Sequence, residues 1–108
     1  MVEKAIREII LDYIAEVQDA GINVACVLLF GSHARGEGGP DSDIDILVVS
    51  PEFESPDAEQ KINLLWELRA KTDSRIEPVP IGLNAWESGD FGIIAEKTHE
   101  DGIVLVSS

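Results

Sequence analysis

Apolar positions near the start of the chain recur at helical spacing. Ala5, Ile6, Ile9, Ile10, Tyr13, Ile14 and Val17 share one face when Glu3 to Ala20 is wound as an α-helix. Gly21 follows as a stop signal. The period then changes. Val24 to Phe30 is a short, continuously apolar run, the pattern of a strand buried on both faces. Gly31-Ser32 opens a turn, His33 to Gly36 is expected to begin a short helix, and Glu37-Gly38-Gly39-Pro40 is a flexible break. Ile44 to Val49 reads as a second strand, ended by Ser50-Pro51. Ser55 as N-cap and Pro56 at the first helical position predict a helix running to about Lys71, burying Ala58, Ile62, Leu65 and Leu68. Arg75 to Ile81 resembles a third strand. Pro78 and Pro80 each lack an N–H, which places it at a sheet edge or ends it early. Trp86 falls in a loop after it, Phe91 to His99 forms a short helix, and Ile103 to Val106 is the last strand. The order α-β-α-β-α-β-α-β predicts an α+β (mixed α/β) fold, a mixed sheet with helices packed against it.

Composition narrows this picture. At 108 residues, without repeats, low-complexity tracts or a linker, a single domain spanning residues 1–108 is expected. Hydrophobic residues make up 44% of the chain, enough to fold. The longest apolar runs are far too short to cross a bilayer. The N-terminus, Met-Val-Glu-Lys, lacks the basic start, apolar core and cleavage site of a signal peptide, so a cytoplasmic protein without membrane association is expected. The lone cysteine, Cys26, cannot form an internal disulfide and is expected to be a buried thiol. The net charge of −13 opposes direct binding of DNA or RNA through a basic surface. It does not oppose a nucleotide, since divalent cations neutralise carboxylates and phosphates together, and it suits a basic protein partner.

Two short segments carry the chemistry. In a strand, side chains at i and i+2 leave the same face, so Asp43 and Asp45 project together while Ile44 and Ile46 enter the core. Two adjacent carboxylates repel each other, and burying them unpaired is costly. A hard divalent cation relieves both, because Mg²⁺ is commonly held by one or two carboxylates plus substrate phosphates. Gly31-Ser32 directly follows a buried strand. Glycine lets the backbone approach a ligand, a following helix start presents free N–H groups, and Ser32 adds a hydroxyl. Alone, each segment has an ordinary alternative: solvated loop acids in the first case, a strand-to-helix turn capped by Ser32 in the second. The P-loop pattern is absent.

Taken together, Gly31-Ser32-His33-Ala34-Arg35-Gly36 followed by Ser42-Asp43-Ile44-Asp45-Ile46-Leu47-Val48 closely resembles the signature of the DNA polymerase beta-like nucleotidyltransferase superfamily. Within it the chain resembles the minimal nucleotidyltransferases, as do the helix before the motif and the Asp101-Gly102-Ile103-Val104-Leu105 segment after it. The resemblance implies two Mg²⁺ ions, with Mn²⁺ as an alternative, held by Asp43 and Asp45 with ATP as substrate. It also implies a third catalytic and metal-binding carboxylate on a neighbouring strand, for which Glu77 is the matching candidate, although members often carry Asp there, followed by apolar residues and not by proline. Gly31 and Ser32 would hold phosphate oxygens. Arg35 would either contact the triphosphate or brace the loop by pairing with an acid. His33 fills a variable position, His99 is expected to be solvated, and Trp66 to lie in core or interface. Trp86 would pack over a nucleotide or against a partner.

Larger members add a helical domain that binds the acceptor, and this chain shows none. The resemblance implies an antitoxin that transfers AMP to a tyrosine hydroxyl of a partner HEPN toxin, with a hetero-oligomer or other assembly as the active species. Two alternatives stand beside it: a binding antitoxin or regulatory subunit with weak or no catalysis, and a small-molecule nucleotidyltransferase completed by a partner subunit.

Overall fold

The computed structural model describes residues 2–107; Met1, the first residue of the N-terminal segment, and Ser108 lie outside them. Helix α1, Lys4–Asp19, buries Ile6, Ile10, Tyr13, Ile14 and Val17 along one stripe, while Ala5, expected on that face, is exposed. Its end is closed by a pair of hydrogen bonds. The Gly21 amide donates to the Gln18 carbonyl at 3.0 Å and the Ile22 amide to that of Val17 at 3.3 Å, with Gly21 at φ +93°. Val17 and Ile22 both enter the core just there.

Four strands follow in the sheet order β3-β2-β1-β4. Strand β1, Cys26–Phe30, pairs antiparallel with β2, Ile44–Ser50, and on its other side with β4, Ile103–Ser107. Strand β3, Ile76–Gly82, runs parallel to β2 at the opposite edge. The mixed sheet expected from the sequence is therefore present. The two prolines sit on an edge strand whose ladder with β2 continues from Ile76 to Gly82.

Strand alternation sends the two sides of the sheet into two cores. Val27, Leu29, Ile44, Ile46, Val48 and Ile76 pack against α1 and against helix α2, Ala58–Leu68. Leu28, Phe30, Leu47 and Val49 face the other way. They are covered by residues of β3 and of helices α3, Leu83–Ser88, and α4, Ile93–Asp101, with Trp86 and Phe91 in tilted contact at 5.6 Å between ring centroids. Buried Cys26 belongs to this second core. The Tyr13 hydroxyl ties α1 to α2 by donating to the Leu65 carbonyl at 2.6 Å.

Three expectations are corrected. Residues 32–36 form hydrogen-bonded turns and no helix. Ser55 does not cap α2: its hydroxyl donates to the Glu52 carbonyl and to the Asp57 carboxylate. The serine-proline start operates one step earlier, where the Ser50 hydroxyl accepts from the Glu52 amide and Pro51 opens a 3₁₀ turn, Pro51–Glu54. Helix α2 consequently begins later. It continues as a 3₁₀ turn, Arg69–Lys71, with Leu65 and Leu68 buried and Ala58 and Ile62 only partly so. Trp86 lies in a helix, where a loop was expected. Among the described residues no helix is long and apolar enough to cross a membrane.

Candidate active site

The hairpin of β1 and β2 brings the two sequence segments to one end of the sheet. Phe30 pairs with Asp45, and Asp45 pairs with Glu77 across the parallel junction. Phe30 precedes a turn, and Asp45 and Glu77 stand two residues ahead of Leu47 and Val79 on their strands. All three therefore leave the sheet on the α3/α4 face, as a row at its open end. Ile44 and Ile46 are fully buried on the opposite side, as the two-residue period demands.

Beyond that row opens a cavity of about 810 Å³ lined by Gly31, Ser32, Arg35, Asp43, Asp45 and Lys97, among others. Gly31 sits at φ +77°, and a Cβ built there would lie 2.4 Å from Asp45 Oδ2. The backbone favours glycine here, and the missing side chain leaves the space that the Asp45 carboxylate occupies. No carbonyl among the described residues accepts from the Ser32 or His33 amides, whereas the next amides, Ala34 and Arg35, bond back to Gly31. The turn thus leaves two amides available as donors to an anion without being a helix. The loop is held from within. The Gly39 amide donates to the Ser42 hydroxyl at 2.9 Å, and the buried His33 ring packs on Gly38 with Nε2 3.4 Å from the Ser42 carbonyl. From outside, the Arg75 guanidinium grips Asp73 through two hydrogen bonds and donates to the Pro40 carbonyl at 2.8 Å.

Carboxylates set the electrostatics of the cavity. Burial, and then the neighbouring Asp43, push the Asp45 carboxyl above its ordinary range, while Lys97, His33 and Arg35 pull it back down. Arg35 is engaged by carboxylates: Nε lies 2.8 Å from Glu37 and Nη1 3.1 Å from Asp101 at the end of α4. The bracing role open in the sequence is occupied, while the guanidinium still lines the cavity. Glu77 lies beside Asp45 in register, yet it does not line the cavity, and among the described residues no three His, Cys, Asp or Glu side chains cluster closely enough to hold an ion. Two carboxylates remain, one desolvated against a glycine that leaves it room. That donor set fits a hard divalent ion whose other ligands come from substrate phosphates. His99 is exposed, and Trp66, expected in core or interface, is exposed beneath the Arg69 guanidinium, 5.0 Å from its ring, and does not line the cavity.

Lys97 and Asp101 were not singled out as site residues in the sequence. The spacing of Ile94, Lys97 and Asp101 marks one helical stripe, which α4 turns toward the cavity.

Comparison with known proteins places this geometry. The family model described as nucleotidyltransferase domain matches residues 7–83. No curated protein matches the chain in sequence. Among solved structures, a Sulfolobus solfataricus protein described as a candidate nucleotidyltransferase superposes with a TM-score of 0.65 at 18% identity, over 93% of this chain and 78% of that one. A toxin-antitoxin structure containing AMP-PNP gives 0.61 at 21% identity, over 90% of this chain and 73% of that one. A structure of the tri-AMPylated Shewanella oneidensis HEPN toxin in complex with MNT antitoxin gives 0.57 at 19% identity, over 94% and 73%. At these identities the likeness establishes the shared fold.

Proposed function

The chain belongs to the nucleotidyltransferase domain family, and from that premise we propose that it is a minimal nucleotidyltransferase of antitoxin type, transferring AMP from ATP to a tyrosine hydroxyl of a HEPN-type partner protein. The observation that carries this reading is the Asp45 carboxylate lodged against Gly31, beside Asp43, in a cavity whose rim presents unbonded amides and the Ser32 hydroxyl. The partner is supported by two of the structures this chain resembles, one a toxin-antitoxin complex with AMP-PNP and one an AMPylated HEPN toxin with its MNT antitoxin.

Asp43 and Asp45 would hold the divalent ions, Mg²⁺ or Mn²⁺. Those ions supply acidification of the acceptor hydroxyl and charge neutralisation of the phosphates. The protein's own groups do the rest. The Ser32 hydroxyl and the neighbouring amides hold the β- and γ-phosphate oxygens, which leaves the α-phosphorus facing Asp43 and Asp45. The acceptor oxygen bonds to that phosphorus as the bond to the β-phosphate oxygen breaks, and pyrophosphate departs. Glu77 lies outside the cavity lining but beside Asp45 in register, and from there it would take the hydroxyl proton. The Arg35 bridges to Glu37 and Asp101 hold the cradle turn against α4 throughout.

The test is intact mass of a HEPN-type partner after incubation with the chain, ATP and Mg²⁺. A mass increase of one or more AMP units is expected, absent with Asp43→Asn or Asp45→Asn. A competent partner whose mass never changes would sink the reading. Undiminished neutralisation by both variants would point instead to inhibition by contact.

A further inference from the structure

The cavity contains a cation that the reading above does not use. Ile94, Lys97 and Asp101 lie three and four residues apart on α4 and all line the cavity, so one stripe of the helix faces Asp43 and Asp45. Of the two basic side chains in the lining, Arg35 is held by Glu37 and Asp101. Lys97 has no carboxylate within ion-pair distance among the described residues, although Glu96, Glu100 and Asp101 surround it in sequence. Its ordinary helix partner three residues on, Glu100, lines the same cavity without pairing to it. The ammonium therefore acts on the Asp45 carboxyl through space without closing an ion pair, which leaves its N–H donors open to a ligand in the cavity. In a chain of net charge −13, it stands beside the carboxylates proposed to receive a polyphosphate.

We infer that Lys97 is a substrate-binding residue that contacts the triphosphate of the bound nucleotide, on the part that leaves as pyrophosphate. Lysine suits this duty, being a compact charge with three rotating donors on a flexible stem. From α4 it lines the same cavity as Ser32, so the phosphate chain would be held by two elements distant in sequence. A contact to the departing phosphates makes Lys97 a selector for triphosphate over monophosphate. The inference rests on the nucleotidyltransferase reading.

The experiment is equilibrium titration of the full chain with ATP and, separately, AMP, each with Mg²⁺, for the wild type and for Lys97→Met, Lys97→Arg and Lys97→Glu. Thermal melts check that these exposed substitutions leave the fold intact. Lys97→Met is expected to weaken ATP roughly tenfold or more, the scale of one hydrogen bond to a charged group, with AMP changed less than about twofold. Lys97→Arg is expected to recover most of the loss, and Lys97→Glu to exceed it. If Lys97→Met leaves ATP affinity unchanged, or weakens ATP and AMP alike, the assignment of Lys97 is overturned while nucleotide binding stands. If the wild type binds no ATP at all, the nucleotidyltransferase reading falls, and this inference with it.

Discussion

Replacing Gly31 with alanine tests the geometry on which the site is built. Two separate penalties act at this position. The backbone sits at φ +77°, where an L residue costs about 1–2 kcal/mol. The added Cβ would also meet Asp45 Oδ2 at 2.4 Å, with Cγ at 3.3 Å. Gly36 separates the two, because its φ is +76° and nothing lies within 4 Å of a Cβ built there. Gly36→Ala should therefore show backbone strain alone. At roughly 4–8 °C per kcal/mol for a domain of this size, that is a melting temperature lower by about 4–16 °C.

In Gly31→Ala the atom struck is the far end of a side chain with two rotatable bonds. The carboxylate can swing aside by about 1 Å instead of forcing the sheet apart, so stability should fall within about 1 kcal/mol of Gly36→Ala. The displaced carboxylate is the proposed metal ligand, and a misplacement of that size costs on the order of 100-fold in rate. Thermal melts of both variants, Mg²⁺ titration and nucleotide transfer to the partner supply the readouts. The reasoning is refuted if Gly31→Ala transfers as well as Gly36→Ala, or if the two bind divalent ions equally.

Other outcomes follow from the same structure. Asp45→Asn should melt higher than the wild type at neutral pH without metal. The folded-state pKa of Asp45 is raised, so its contribution is favourable below the ordinary value of 3.8 and is lost as pH rises through the raised one. Melts near pH 3 should then coincide, and added Mg²⁺ should stabilise only the wild type. Tyr13→Phe removes the 2.6 Å hydrogen bond to Leu65 and should cost about 1–1.5 kcal/mol by urea denaturation. Burial raises the Tyr13 pKa above 10.0, so wild-type stability should be complete below pH 10 and decline above it; a decline that persists unchanged in Tyr13→Phe would contradict this origin. Glu77→Gln should lower the turnover of transfer by about 100-fold while leaving ATP affinity nearly unchanged, as loss of a proton acceptor requires. Equal loss in KM would assign Glu77 to binding.

Local pattern made part of this molecule legible and tertiary packing decided the rest. The β1–β2 hairpin could be read because an uninterrupted apolar run and a two-residue alternation specify a doubly buried strand and the face of each aspartate. Helix α1 could be read because its stripe and its Gly21 terminator agree. Helix α3 could not: six residues offer no periodic stripe, and Leu83 and Trp86 become helical by packing over the second face of the sheet. Two serine-proline pairs each signal a helix start. The first opens the 3₁₀ turn Pro51–Glu54 and the second leaves α2 to begin at Ala58 without a side-chain cap, a division invisible to propensity alone.

The site divides along the same line. Asp45 is set by strand period and Asp43 lies just ahead of β2, whereas the pairing of Asp45 with Glu77 depends on the parallel register of two strands separated by a helix. Arg35 and Asp101 meet across 66 positions, and Lys97 arrives on the same distant helix. In a chain with 21 acids and 8 basic residues, composition conceals which cations stay free. The motif can place the carboxylates that demand a cation, but which charges oppose them depends on how α4 packs over the sheet. Ion affinity and phosphate selectivity should therefore respond to substitutions on α4 at positions that the motif does not contain.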